Sequence, residues 1–159
     1  MEKERLQEFT TRVTQANRSE LVVIMYEIME SDMRSARQAM ANNNIMLFEK
    51  ECRHAQRVLN ELMATLDYHY VLAYDLLSLY SYMNKKLIAA LIKRDEKPFL
   101  EVERIIEKLK AAYEQVSKQD VSGPMMKNTQ QIYAGLTYGR GTLNESSIDA
   151  NVRNRGFMA

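Results

Sequence analysis

The apolar positions between Tyr68 and Ile92 recur at helical spacing and predict the helix around which the other segments are organised. No Gly or Pro interrupts this stretch, which is long enough for about seven helical turns. One apolar row steps by three and four residues: Ala73, Leu76, Tyr80, Met83, Leu87 and Ala90. A second row, formed by Leu72, Leu79 and Tyr82, runs beside it. Since packing on one side needs a single row, this helix is either central in a bundle or offers a face to a partner.

Two helices are predicted before this one. Asn17 and Glu20 have the spacing of a capping box, so we expect the first helix to begin there and to end at the three asparagines of residues 42–44. The second helix covers about residues 45–66. Its apolar seam has heptad spacing: Phe48, Cys52, Ala55, Leu59, Leu62 and Leu66. Heptad spacing predicts crossing angles of about 20° in an antiparallel bundle.

Another helix is predicted after the central one. Asp67 is the expected N-cap of the central helix, and Asp95 is the expected N-cap of the next, with Pro98 in its first turn. The expected buried side of this last helix comprises Leu100, Ile105, Leu109, Ala112 and Val116. All five glycines come after residue 120, so the helical pattern stops near Gly123 and Pro124.

The short connections favour antiparallel neighbours, and the sequence therefore predicts an all-α fold, an antiparallel up-down four-helix bundle. Residues 1–18 are expected to form an N-terminal arm with little to bury, and residues 19–120 form the bundle. Residues 121–159 form a C-terminal extension that contains one short helix near residues 125–134. The apolar residues of this extension either fold back on the bundle, where they would shield an exposed face, or belong to an appendage that recruits another molecule.

Composition narrows the functional classes. The formal net charge of +1 gives no reason to expect a nucleic-acid partner or binding to an anionic membrane. The sequence has no apolar run long enough for membrane insertion and no signal peptide at its charged start. A single cysteine, Cys52, cannot form an internal disulfide, which favours a cytoplasmic location. The eleven methionines either fill the core or make an adaptable binding surface.

Residues for catalysis or metal binding are scarce. A di-iron bundle needs two Glu-x-x-His motifs, and only Glu51 with His54 supplies one, since Leu66 precedes His69 at that spacing. We therefore expect no metal and no cofactor, with Glu51 solvated and His54 on the surface. Cys52 lies on the core seam, where a thiol is ordinarily inert. These observations predict that the protein is not an enzyme.

Three segments resemble one known family, the flagellar export chaperone FliS. Residues 13–21 (VTQANRSEL) are similar to the family pattern V-x-x-A-x-x-x-E-L, and Met25 and Tyr26 follow at the expected distance. Residues 55–62 (AQRVLNEL) resemble A-Q-x-I-x-x-E-L, and residues 79–87 (LYSYMNKKL) resemble L-Y-x-Y-M-x-x-x-L. The sequence departs from the family at Tyr113, where a Trp is usual, and in residues 121–159, which most members lack.

The resemblance implies a cytoplasmic chaperone that holds the C-terminal segment of flagellin before export. An alternative on the same bundle is an adaptor that binds a flagellar regulator, and a third class is an enzyme or metal carrier. Helical spacing suggests a receiving face, for which core packing is the competing interpretation. Its expected residues are Val58, Leu62, Leu72, Leu79, Tyr82 and Lys86. The oligomeric state is not predicted.

Overall fold

The computed structural model describes residues 2–119, and within that range the protein contains only helices. The helices are α1 (Glu2–Gln15), α2 (Arg18–Ala41), α3 (Ile45–Ala64), α4 (Val71–Lys93) and α5 (Phe99–Gln119). The predicted all-α helical bundle is thereby confirmed. The predicted short helix at residues 125–134 and the course of the C-terminal extension lie outside the described residues. Within residues 2–119, no helix combines the length and the apolar content that a membrane span needs.

Helices α2 to α5 form a closed ring in which sequence neighbours are antiparallel and α5 returns to α2. Arg37 of α2 pairs with Glu103 of α5 through two hydrogen bonds of 2.5 and 2.8 Å. Seven residues earlier on α2, Glu30 accepts hydrogen bonds from Lys110 at 2.8 and 3.0 Å. Rising numbers on α2 meet falling numbers on α5, which makes these two helices antiparallel. Helix α1 packs on the outside of α2.

The predicted apolar rows of α3 and α4 meet inside this ring. The whole α4 row from Ala73 to Ala90 is buried, and so is the α3 seam from Phe48 to Leu62. At the centre, the hydroxyl groups of Tyr26 and Tyr80 lie 2.5 Å apart. This hydrogen bond satisfies two polar groups that burial would otherwise leave unpaired. Burial raises the pKa of Tyr80 to about 12 and also raises the pKa of Tyr26.

The start of α2 and the turn between α2 and α3 have the capping and turn residues that the sequence predicted. Asn17 and Glu20 form the expected capping box, in which the Glu20 N–H donates to Asn17 Oδ1 at 2.8 Å and the Asn17 N–H donates to Glu20 Oε2 at 3.1 Å. Asn43 adopts φ 56° between α2 and α3, a left-handed conformation that asparagine tolerates well. Asn44 then caps α3 by accepting from the Leu47 N–H at 3.1 Å.

The start of α4 differs from the prediction. The helix begins at Val71, and its N-cap residue is Tyr70, which makes no side-chain cap. The Asp67 carboxylate instead accepts from the His69 N–H at 3.0 Å. This local hydrogen bond closes a tight turn over residues 67–70, and such a turn competes with helix formation by the same backbone. Residues 67–70 therefore belong to the connection.

The N-terminal segment buries more than expected, because α1 lays one apolar side against the bundle. Phe9 and Val13 belong to the main hydrophobic core. The first half of α1 is held by the buried carboxylate of Asp32 on α2. Arg5 Nη2 donates to Asp32 Oδ1 at 2.7 Å. His54 Nδ1 of α3 lies 2.6 Å from the other oxygen, Asp32 Oδ2. Residues 2–16 therefore form a packed helix and its connection to α2.

His54 and Glu51 also differ from the expected surface positions. The contact with Asp32 holds the His54 ring between α2 and α3, where the side chain is mostly buried. Glu51 is half-buried, and its pKa is raised, first by burial and then by the nearby charge of Asp32. The burial of His54 could not be predicted from the sequence, because the heptad pattern of α3 does not reveal that its ring meets the carboxylate of Asp32 on α2.

Helix α5 turns its inner side to the core at positions one or two residues away from those predicted. Its buried residues are Phe99, Val102 and Ile106. Leu100, Ala112 and Val116 are exposed, whereas Ile105 and Leu109 are partly buried against the core. The predicted row therefore describes the flank of α5 beside its core-facing side.

Candidate partner-binding site

The second apolar row of α4 is exposed. Leu72, Leu79 and Tyr82 are 62%, 38% and 42% exposed. Asp75 and Lys86 complete the row at steps of three and four residues, so Leu72, Asp75, Leu79, Tyr82 and Lys86 share one flank of the helix. We call these five residues the α4 row. Large apolar side chains that are exposed together are typical of a surface that receives a partner.

A polar contact with α5 shows which way the α4 row faces. Tyr82 donates a hydrogen bond to Glu101 of α5, and Lys86 Nζ lies 3.3 Å from Glu101 Oε2. These two contacts lower the pKa of Glu101, the Tyr82 hydrogen bond having the larger effect. Lys86 also lies 5.3 Å from the centre of the Tyr82 ring, within cation–π range. We call Tyr82, Lys86 and Glu101 the latch.

A matching row on α5 continues from the latch. Ile105, Ala112 and Val116 follow Glu101 by four, eleven and fifteen residues, which places all four on one flank of α5. Since α4 and α5 are antiparallel neighbours, the register that the latch sets places Leu79 at about the level of Ile105 and Leu72 at about the level of Ala112. We call the two rows together the α4–α5 seam. Val116 is 52% exposed, so the seam is closed at the latch and open at its Leu72 end.

Four of the six expected site residues lie on this seam, and two do not. Leu72, Leu79, Tyr82 and Lys86 form the α4 side described above. Val58 and Leu62 are buried in the core, because Leu62 belongs to the heptad seam of α3 and Val58 lies beside that seam on the inner side of the helix. Four of the predicted residues thus lie together on the seam, and the other two, Val58 and Leu62, lie inside the bundle. Their contact with a partner stays a prediction.

The α5 side of the seam was not among the residues predicted from the sequence to receive a partner. Ala112 and Val116 were assigned to the core because their spacing is helical and apolar. A signal was nonetheless present: Phe99, Val102 and Ile106 form a second apolar row on the same helix. As on α4, two apolar rows on one helix indicate either a central helix or a helix with one apolar row left exposed.

The described residues also bear on the other candidate chemistry. Cys52 is fully buried, and burial is the largest cause that raises its pKa to about 12, so its thiol stays protonated near neutral pH. No group of three or more His, Cys, Asp or Glu side chains within residues 2–119 is placed to hold a metal ion.

Comparison with known families now adds to the geometry. Residues 1–120 match the family described as flagellar protein FliS. The chain belongs to the FliS family. A FliS relative, the flagellar secretion chaperone FliS of Bacillus subtilis (strain 168), is 28% identical over 108 residues, which are 68% of this chain and 81% of that protein. The match confirms the family that the sequence motifs had suggested.

The structure shows what the FliS motifs of this chain do. Tyr26 and Tyr80, from two of the motif segments, meet through their hydroxyl groups in the core. Leu79 and Tyr82 flank Tyr80 in the sequence but lie on the exposed α4 row. The motif at residues 79–87 therefore contains both buried core residues and exposed residues. The same segment contributes to the core of the FliS fold and to the seam.

Proposed function

We propose that this protein is a cytoplasmic flagellar export chaperone that binds the C-terminal segment of flagellin along the α4–α5 seam. The observation that carries the proposal is the exposed α4 row on a member of the FliS family, with Leu72 62% exposed. The Bacillus subtilis relative is named a flagellar secretion chaperone, which supports the export role.

The shape and chemistry of the seam suit a helical ligand. An amphipathic helix can lay its apolar face into a groove between two helices, with anchors at spacings of three, four and seven residues. Leu72 and Leu79 are seven residues apart and offer contacts at that spacing. The Tyr82 phenol can add area, since its ring is exposed while its hydroxyl group is held by Glu101. A segment that folds as it docks binds with modest affinity for its contact area, which suits later release.

The test is calorimetric titration of a flagellin C-terminal peptide into the full chain and two charged variants. Leu79→Glu puts a carboxylate on the seam, whereas Ile88→Glu puts one on the opposite side of α4, nine residues along. The two side chains are equally exposed, at 38%, which makes Ile88→Glu a matched control. We expect Leu79→Glu to weaken binding about tenfold to a hundredfold, the loss expected for one buried leucine anchor. Ile88→Glu should leave binding within about twofold of the parent chain.

Circular dichroism and thermal melting of both variants show whether the fold survives. Equal weakening by the two variants would place the binding site elsewhere on the bundle. No binding of the peptide by the parent chain would reject flagellin as the partner, and a flagellar regulator would then become the partner to test. If Leu79→Glu alone unfolds the protein, Leu72→Glu provides the same test at a more exposed position.

A further inference from the structure

We propose that the C-terminal extension of this same chain, residues 120–159, docks on the open end of the α4–α5 seam when no partner is bound. The proposal concerns regulation of the proposed binding site and therefore rests on that function. The extension would shield the apolar side chains of the seam and would compete with the partner for them. It commits to one occupant, a segment of the same molecule in cis.

The position where the described chain ends is the first support. Asn17 Nδ2 donates to the Ser117 carbonyl oxygen at 3.4 Å, so the end of α5 lies beside the start of α2. Because helices that follow one another in the ring are antiparallel, the connection before α4 lies at this same end of the bundle. The chain therefore leaves α5 at Gln119 where the seam is open, next to Val116 and on the side of Leu72.

Exposed apolar groups are concentrated at that end. Besides Leu72 and Val116, four large apolar side chains near the start of α4 are exposed: Tyr68, Tyr70, Val71 and Tyr74. At the other end of the seam, Glu101 closes the gap with its hydrogen bond from Tyr82 and its ion pair with Lys86. This group of exposed apolar side chains thus lies near Gln119, where the described chain ends.

The length and sequence of the extension fit this surface. The seam from Leu72 to Tyr82 covers about 15 Å of helix. Ile132 comes thirteen positions after Gln119, and an extended segment of that size spans up to about 45 Å. The apolar cluster Ile132, Tyr133 and Leu136 can therefore return along the seam. Tethering provides a local concentration on the order of millimolar, so that even weak contacts become occupied.

Thiol labelling tests this proposal in the absence of flagellin. Asp75→Cys introduces an exposed thiol within the α4 row, and Asn60→Cys introduces a control thiol on the exposed side of α3. The native Cys52 adds little background because it is buried and its pKa is raised to about 12. Maleimide labelling is measured in the full chain with its natural extension and with the triple change Ile132→Ser, Tyr133→Ser and Leu136→Ser.

We expect the triple change to speed labelling at the Asp75→Cys site by about tenfold, the factor for a cover that is in place roughly nine-tenths of the time. Labelling at the Asn60→Cys site should not change. A second extension variant, Asn128→Ser with Gln130→Ser and Gln131→Ser, alters polar residues only and should leave both rates as they were. Equal labelling at the Asp75→Cys site with the natural and apolar-depleted extensions overturns the proposal.

Protein concentration separates cis docking from docking between molecules. Protection that does not change with dilution supports the cis extension, whereas protection that is lost on dilution makes a second copy the occupant and overturns the proposal. Titrating the flagellin peptide into the triple variant keeps the two hypotheses apart. Tighter peptide binding than in the parent chain supports competition, and unchanged binding contradicts it while leaving the chaperone proposal intact.

Discussion

The two sides of the bundle that carry α2 and α4 differ in what covers them. Helix α2 touches α3, α5 and α1, and its outer side is fastened by ion pairs from Arg5 to Asp32 and from Arg12 to Glu27. Helix α4 touches only α3 and α5 among the described residues, and its second apolar row is exposed. The chain uses its N-terminal helix to cover α2, and the described part of the chain provides no equivalent cover for α4.

This difference shows that an apolar row on a helix does not by itself identify the core. Both helices have apolar residues on more than one side, as a central helix of a bundle does. On α2 the extra side is buried by α1, and on α4 the extra side stays exposed. An uncovered apolar side lowers stability relative to a fully packed one, so the folding of residues 2–119 gives no reason for the exposed row, whereas the binding role proposed above would supply one.

The largest expected effect is the difference in stability between alanine substitutions on the buried side and on the exposed side of α4. Leu87→Ala removes a fully buried side chain and should lower the free energy of unfolding by about 2–5 kcal/mol. Leu72→Ala, the matched change on the exposed row, should change it by less than about 0.5 kcal/mol. Denaturant unfolding followed by circular dichroism measures both. A cost for Leu72→Ala near that of Leu87→Ala would contradict this difference, because an extension that covers the row about nine-tenths of the time contributes at most about 1.4 kcal/mol.

An intermediate effect tests how α1 is held on α2. Asp32→Ala leaves Arg5 and His54 without their shared carboxylate and should cost about 2 kcal/mol, less than a fully buried pair because both partners remain partly exposed. Hydrogen exchange of the amides in Glu2–Gln15 should become faster. Asp75→Ala, which removes an exposed aspartate on α4, is the control. Unchanged exchange in α1 would show that Phe9 and Val13 hold the helix without the ion pair.

The smallest effect concerns the latch and depends on pH. The pKa of Glu101 lies below its ordinary value of 4.5 in the folded protein, first because Tyr82 donates to it and then because of Lys86. Its contribution is therefore complete above pH 4.5 and is lost as the pH falls through the lower folded pKa. Glu101→Gln should slightly lower Tm at pH 7, and the difference from the parent chain should vanish in acid.

Salt and a second variant make that prediction specific. The latch is exposed, so high salt should screen its ion pair and reduce the Tm difference. Glu107→Gln changes another exposed glutamate of α5 and serves as the control at each pH. A Tm difference for Glu101→Gln that grows as the pH falls would contradict the assignment, because the sign of the linkage would be reversed.

The sequence predicted the interior of this fold well wherever local spacing decides burial. Every residue of the inner α4 row is buried, and the Asn17 capping box and the asparagine turn before α3 are present as expected. These features depend on residues three or four positions apart, which helical geometry brings together without any tertiary information.

Features that need two distant segments were harder to predict. The contact between Asp32 and His54 joins residues 22 positions apart, and no pattern within α3 reveals it. The burial of α1 depends on space left beside α2. On α5, two apolar rows lie side by side, and only the position of α4 and α2 decides which row enters the core. On α4 both apolar rows were visible in the sequence, but the sequence alone left open which of them is buried; the structure shows that the row with Leu72, Leu79 and Tyr82 is exposed.

The pairing of α2 with α5 has a consequence for synthesis. Arg37 and Glu103 are 66 positions apart, and Glu30 and Lys110 are 80 apart. On the ribosome, α2 and α3 emerge well before the residues that complete the ring. A nascent chain that has reached Asp95 still lacks Phe99, Val102 and Ile106, the residues with which α5 completes the core. The bundle therefore cannot close until nearly all of its helical residues have left the exit tunnel.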